Sequence, residues 1–158
     1  EAGLSARLRP FAILPGPAAA GPGAATFRGL LAGPWHVAGA SDRRGLRLDG
    51  QALTVSSRAD APSHGVPIGA IQLTPSGQPL VLMADAGPTG GYPVLAVVTS
   101  ADLDRLGQLG PGDEVRFRGV DIPTARAAER ERRAALEARS AQLGVRDPWD
   151  DLADHAGA

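Results

Sequence analysis

A chain of 158 residues, 43% of them hydrophobic, can bury the core of one domain, and an aromatic content of 4% leaves that core to Val, Ile, Leu and Ala. The 21 Gly and 14 Pro exclude a mainly helical body, and a net charge of −1 argues against a broad positive field for nucleic acid. All 16 basic residues are Arg, so lysine Schiff bases, GxxxxGK(S/T) phosphate loops and lysine-borne biotin are excluded, and the absence of Cys removes disulfides and thiol nucleophiles.

In chain order, Leu8 to Leu14 reads as a strand closed by Pro15-Gly16-Pro17, and residues 15–25, almost only Ala, Gly and Pro, read as a loop. TFRGLLAG predicts a short helix capped by Thr26 and stopped by Gly33-Pro34. A strand at Trp35–Ala38, a turn at residues 41–45 and a strand at Leu46–Leu48 follow, with Asp49-Gly50 as a turn. A polar loop spans residues 56–64.

The two best strands come next. Ala70–Leu73 runs into the turn Pro75-Ser76-Gly77, and Pro79 opens Leu80–Met83, where its missing N–H does least harm. Val94–Val98 is continuous and β-branched, so both runs predict strands buried on two faces. Thr99 or Ser100 caps a short helix, with Asp102 and Asp104 complementing its dipole and Leu103, Leu106 and Leu109 forming its apolar edge. Gly110 to Asp113 turns the chain into a last strand, Val115–Arg118. From Pro123 to Leu143 the residues are helix formers with mostly Ala as apolar content, which predicts a solvated helix lying lightly on the body. The terminus is acidic, with Trp149 as an anchor.

Asp85 emerges where a buried strand meets a turn; its carboxylate can act as a base, orient an amide N–H, or cap Gly87 in an Asx-turn. Thr89-Gly90-Gly91-Tyr92 offers either a glycine-lined anion nest beside the sole tyrosine or a tight hairpin with Tyr92 packed. Arg43 suits a bidentate clamp on a substrate carboxylate or a local pair with Asp42. Gln72, in an apolar strand, needs a ligand or neighbouring backbone as partner. His36, His64 and His155 show no HxH or HExxH spacing, so no metal site is expected. No apolar run approaches the ~20 residues that span a bilayer, and the first residues lack a signal-peptide pattern, which makes the cytoplasm the expected location.

Three segments in order, SDRRGLRL, GVPIGAIQLTPSGQPLVLMAD and TGGYPVLAVVTSADLDRLGQLGPGDEVRF, resemble the carboxyl-terminal half of the biotin-dependent carboxyltransferase-like family. That family includes allophanate hydrolase subunit 2, the C subunit of 5-oxoprolinase and the antagonist of the Kip kinase inhibitor. The resemblance covers roughly residues 8–120 and implies a mainly β, cyclophilin-like barrel half with short helices and a carboxyl-terminal helix. It divides the chain into residues 1–122, the second half of the family's two-part unit, and residues 123–158. The family's glycine-rich amino-terminal pattern is absent, so the chain is expected to be a fragment or to have its other half encoded separately.

The resemblance further implies a subunit of an ATP-dependent amide- or lactam-processing enzyme that opens 5-oxoproline with partner subunits of the subunit-1 and lactam-utilisation types. Alternatives are a urea carboxylase-type carboxyltransferase, with biotin supplied by a partner domain, and a noncatalytic partner of a kinase inhibitor. Asp85 and Tyr92 would be catalytic, with Asp85 meeting the substrate's N–H groups. Thr89, Gly90 and Gly91 would form the pocket lip, with Arg43 and Gln72 nearby. ATP would be used by the complex, and no cofactor would be covalently bound here.

Overall fold

A computed structural model describes residues 9–54 and 63–143. Ten strands run β1 (Phe11–Pro15), β2 (Trp35–Val37), β3 (Gly45–Asp49), β4 (His64–Gly65), β5 (Ala70–Leu73), β6 (Pro79–Leu82), β7 (Thr89–Gly90), β8 (Val94–Val98), β9 (Glu114–Val115) and β10 (Phe117–Gly119). Three helices accompany them: α1 (Ala24–Ala32), α2 (Ser100–Leu106) and α3 (Ile122–Gln142). Eight strands form one sheet in the order β10-β1-β8-β5-β6-β3-β2-β9, and β4 pairs with β7 in a separate ribbon.

The outermost strands of that order, β9 and β10, are separated in sequence by Arg116 alone. The predicted run Val115–Arg118 is therefore one extended segment serving two edges. Val115 pairs with Trp35 antiparallel, and Phe117 pairs with Phe11 parallel. A sheet whose two ends meet on one segment is a nearly closed barrel, which leaves little free edge for another chain to pair with. The body is mainly β, with short helices and a carboxyl-terminal helix, as expected.

Burial follows the continuous apolar runs. All of β5 is buried, and β8 is buried except at Val97. Phe11, Ile13, Trp35, Leu48, Ile71 and Val81 belong to the main core, while Ala70, Leu82 and Val94 lie in a second cluster with Leu80 and Val97 packed against it. Trp35 is 2% exposed, and its indole N–H donates to the Leu30 carbonyl at 2.9 Å, so the largest core side chain is fully satisfied.

Gly77, in the turn between β5 and β6, has φ +80°, and a Cβ there would lie 2.4 Å from the Leu53 carbonyl oxygen. Both the left-handed backbone and the backbone neighbour forbid a side chain. Gly77→Ala is expected to cost more than ~1 kcal/mol of stability by denaturant unfolding; an unchanged midpoint would contradict this.

Helix starts depart from the expectation. Gly23 already has φ −76° and ψ −9°, because two short turns of 3₁₀ helix lead into α1, so Thr26 lies inside the helix. The Thr26 hydroxyl donates instead to the Thr54 carbonyl at 2.9 Å. For α3 the cap is Asp121, whose carboxylate accepts the Thr124 N–H at 2.9 Å, with Pro123 in the first turn. No α3 residue is buried, and Arg132 joins Asp104 of α2 at 2.9 Å. The acidic terminus and Trp149 lie outside the described residues, as do most of residues 56–64.

Glu129 of α3 is held by Arg132 and Arg133, whose hydrogen bonds pull its carboxyl down from 4.5 to about 2. A depressed carboxylate contributes stability that is complete above its ordinary value and lost as pH falls toward the folded one. The thermal midpoint should therefore fall between pH 4.5 and about 2 more steeply in the wild type than in Glu129→Gln. Parallel profiles would contradict the assignment.

Candidate functional site

The connection between β2 and β3 is a turn organised by Asp42. Its carboxylate accepts the N–H groups of Arg44 at 2.8 Å and Gly45 at 3.1 Å, and the Arg44 bond chiefly holds its pKa below the usual carboxylate range. Asp42 is thus occupied by its own turn and by Arg44, whose Nε lies 3.5 Å away, and not by Arg43. Ser41 closes the same turn, its hydroxyl accepting the Arg47 N–H at 3.0 Å.

The β3–β6 register then brings Arg43 to Asp85. Leu46 pairs with Val81, and past the end of β6 the ladder continues as Met83 N–H to the Arg44 carbonyl and Asp85 N–H to the Arg43 carbonyl, 3.0 and 3.1 Å. The Asp85 carboxylate sits 3.2 Å from the Arg43 Nε, with side-chain exposures of 49% for Asp85 and 90% for Arg43. A pair this exposed stabilises the fold by less than ~1 kcal/mol, so it costs little to open. No hydrogen bond from Gly87 to the Asp85 carboxylate is present among the described residues, which leaves the Asx-turn alternative without its bond.

Arg43 and Asp85 stand at the rim of a cavity of about 380 Å³ whose floor includes Val37, Leu46, Met83, Leu106 and Leu109. An apolar floor with a few polar groups at its mouth is the usual form of a small-molecule site, and this volume suits a small ligand. A larger cavity of about 600 Å³ lies between α1 and residues 51–54, but no charged side chain lines it, so it offers no acid, base or ion clamp.

A second group forms around Gln72. It is 4% exposed, and its amide donates to the Tyr92 carbonyl at 3.3 Å, so neighbouring backbone satisfies it. A Cβ on Gly90 would lie 2.4 Å from the Gln72 amide nitrogen. Glycine there lets β7 lie directly against that amide. Neither Gly90 nor Gly91 has positive φ, so the freedom of Gly90 serves close approach rather than an anion nest. Thr89 and Gly91 are exposed, and Tyr92 is 43% exposed rather than packed. The β4–β7 ribbon, in which His64 pairs with Gly90, supports this group.

The structure therefore brings Arg43 to Asp85, and Gln72 to Gly90 and Tyr92. No hydrogen bond or ion pair among the described residues joins the two groups, and Tyr92 is not among the residues around the Asp85 cavity. Segment 86–91, which connects Asp85 to Tyr92, is exposed or half-buried throughout. Sequence reasoning missed the cavity floor; Leu106 and Leu109 were visible only as the edge of a helix. It also missed Asp102, which is 2% exposed and accepts the Ala12 N–H at 2.8 Å and Arg105 Nη1 at 2.7 Å. Among the described residues no cluster of three or more His, Asp or Glu could hold a metal, and no helix is long and apolar enough to cross a membrane.

Comparison with known proteins covers all these residues. The chain is 40% identical over 103 residues to the 5-oxoprolinase C subunit of Haemophilus influenzae, covering 65% of this chain and 33% of that protein. Identity to the 5-oxoprolinase C subunit of Escherichia coli is 36% over 104 residues, covering 66% and 34%. The chain thus spans about a third of the length of these curated relatives. The crystal structure of the K. lactis urea amidolyase shares the fold, with TM-score 0.70 at 24% identity over 81% of this chain and 8% of that one. Residues 4–119 match the family model for the carboxyltransferase domain, subdomain A and B, a span that contains Arg43, Gln72, Asp85 and Thr89 to Tyr92. With that match covering well over half of its length, the chain belongs to the carboxyltransferase domain family of subdomains A and B.

Proposed function

We propose that the chain works as part of an ATP-dependent 5-oxoprolinase, contributing the lactam-binding portion of its C subunit. The observation that carries this reading is the 40% and 36% identity to two 5-oxoprolinase C subunits. The chemistry of the Arg43–Asp85 rim supports it. A lactam presents one N–H donor, which a carboxylate accepts, and 5-oxoproline adds a carboxylate of its own, which a guanidinium fork receives in two parallel bonds. Arg43 uses its Nε on Asp85, so its terminal N–H groups remain for such a ligand. Asp85 orients the lactam N–H and accepts its proton as the amide is activated; Thr89, Gly90, Gly91 and Tyr92, on the turn that follows, lie outside the Asp85 cavity and are given no step in this reading.

Activation of the amide by ATP falls to partner subunits of the subunit-1 and lactam-utilisation types, and the isolated chain is inactive. The chain has no lysine, so it offers neither the lysine of a phosphate loop nor a biotin attachment point. Biotin enters only if a partner domain carries it.

The test is to coexpress the full polypeptide with its neighbouring subunits and to measure ATP-dependent glutamate formation from 5-oxoproline beside biotin-dependent carboxylation of urea. Glutamate formation alone is the expected result. Urea carboxylation without lactam opening would transfer the site to carboxyl transfer, and tight binding to a partner protein without turnover of either amide would make the chain a regulatory partner.

A further inference from the structure

Away from that site, a groove of about 530 Å³ runs between α3 and the outer side of β1 and β8. Leu14, Val97 and Ile122 supply its apolar surface, and Ile122 is 57% exposed. The guanidiniums of Arg126, Arg130 and Arg133 stand along the α3 wall beside one carboxylate, that of Glu129. Glu129 is already held by Arg132 and Arg133, at 3.0 and 2.9 Å, whereas Arg126 and Arg130 make no ion pair among the described residues. The groove thus carries positive charge that nothing in the described fold answers, next to apolar surface left open to water.

That combination selects a macromolecular partner. A small-molecule site encloses most of its ligand, and a groove that leaves Ile122 more than half exposed does not. Strand addition has little to use, because the barrel meets itself on one segment and offers hardly any free edge. A partner must therefore dock through side chains, and arginine beside exposed apolar surface is a composition typical of such contacts. The spacing specifies the rest. Arg126 and Arg130 are four residues apart on α3, about 6 Å along its axis, and Ile122 lies the same distance before Arg126.

We propose that this groove is the docking site for an acidic segment of a second subunit of the assembled enzyme. That segment sets two carboxylates about 6 Å apart on Arg126 and Arg130, and an apolar side chain on Leu14, Val97 and Ile122. Each guanidinium offers a carboxylate two parallel bonds, and the same positive charge turns away segments that bring basic residues to this place. The proposal rests on the multisubunit reading above but not on the lactam chemistry, since none of these residues lies at the Arg43–Asp85 rim.

The test is the affinity of the full polypeptide for the subunits encoded beside it, followed by analytical ultracentrifugation. Arg126→Glu/Arg130→Glu should weaken association about 100-fold or more, and Arg126→Gln/Arg130→Gln should weaken it less. Arg28→Glu/Arg47→Glu makes the same charge change at two exposed positions outside the groove and should leave association unchanged. Wild-type affinity in Arg126→Glu/Arg130→Glu would overturn the proposal and leave the lactam reading standing. Equal weakening in Arg28→Glu/Arg47→Glu would also overturn it, making the effect one of net charge. A lowered thermal midpoint of Arg126→Glu/Arg130→Glu measured without partners would overturn it by making another segment of the same polypeptide the occupant. A wild type that associates with no neighbouring subunit would end both the docking site and the multisubunit reading.

Discussion

Replacing Asp85 by Asn should lower kcat for 5-oxoproline in the assembled enzyme by about 100-fold or more, the usual loss when a positioned proton acceptor is removed, with the thermal midpoint unchanged. The second half of that expectation follows from the geometry. Asp85 is half-exposed and its guanidinium partner is nearly fully exposed, so losing their contact costs under ~1 kcal/mol. An Asn side chain is isosteric and still places an oxygen toward Arg43, but it cannot take a proton from a lactam nitrogen. Arg43→Ala should act differently, raising KM more than it lowers kcat, because a clamp on a distant carboxylate binds ground state and transition state alike. Steady-state kinetics of the two variants separate these roles. Equal loss of kcat in both would mean that Arg43 and Asp85 act as one unit, and full activity in Asp85→Asn would remove Asp85 from the chemistry.

The largest effect on stability is expected at Asp102. Its carboxylate is 2% exposed and receives the Ala12 N–H at 2.8 Å, Arg105 Nη1 at 2.7 Å and, more weakly, Arg9 Nη2 at 3.4 Å. Arg105 in turn stacks 4.3 Å above the Phe11 ring centroid and donates to the Arg9 carbonyl. This one side chain ties the first turn of α2 to β1, the strand that closes the barrel against β10. Asp102→Ala would leave the buried Ala12 N–H without its acceptor and take the carboxylate from an Arg105 guanidinium still held by the Arg9 carbonyl, which costs about 3 kcal/mol. Asp102→Asn keeps an acceptor for one of them and should lose about half as much. Against a total stability of ~5–15 kcal/mol, the Ala variant would lose a large part of its margin. Denaturant midpoints check this, and an Asp102→Ala midpoint within experimental error of the wild type would contradict the reading of Asp102 as the anchor of α2.

Much of the barrel was legible because its central strands obey local rules. Ala70–Leu73, Pro79–Leu82 and Val94–Val98 are apolar runs bounded by Gly and Pro, and burial on two faces is what such runs require. What the residues alone could not reveal depends on pairing across long separations. The segment around Arg116 reads as one strand, and only the closure of the sheet divides its partners between Trp35 on one edge and Phe11 on the other. Asp102 looked like a helix-dipole residue because its acceptor role depends on Ala12, ninety residues away.

The same limit applies to the candidate site. Asp85, Gln72, Arg43 and Tyr92 stood out by residue type, but their grouping did not. Arg43 meets Asp85 through the register of β3 on β6, while Asp42, the sequence neighbour, is consumed by its own turn. Gln72 meets Gly90 because a strand without Cβ can lie on a buried amide, a fit that composition does not encode. The glycines were noticed for their backbone freedom, and what matters at Gly90 is the missing side chain.

Soaking 5-oxoproline into crystals of the assembled enzyme tests the central claim most directly. The account predicts the lactam in the cavity floored by Met83, Leu106 and Leu109, its N–H within hydrogen-bond distance of the Asp85 carboxylate and its own carboxylate on Arg43. A lactam bound elsewhere, with the Arg43–Asp85 pair intact and the cavity empty, would contradict it.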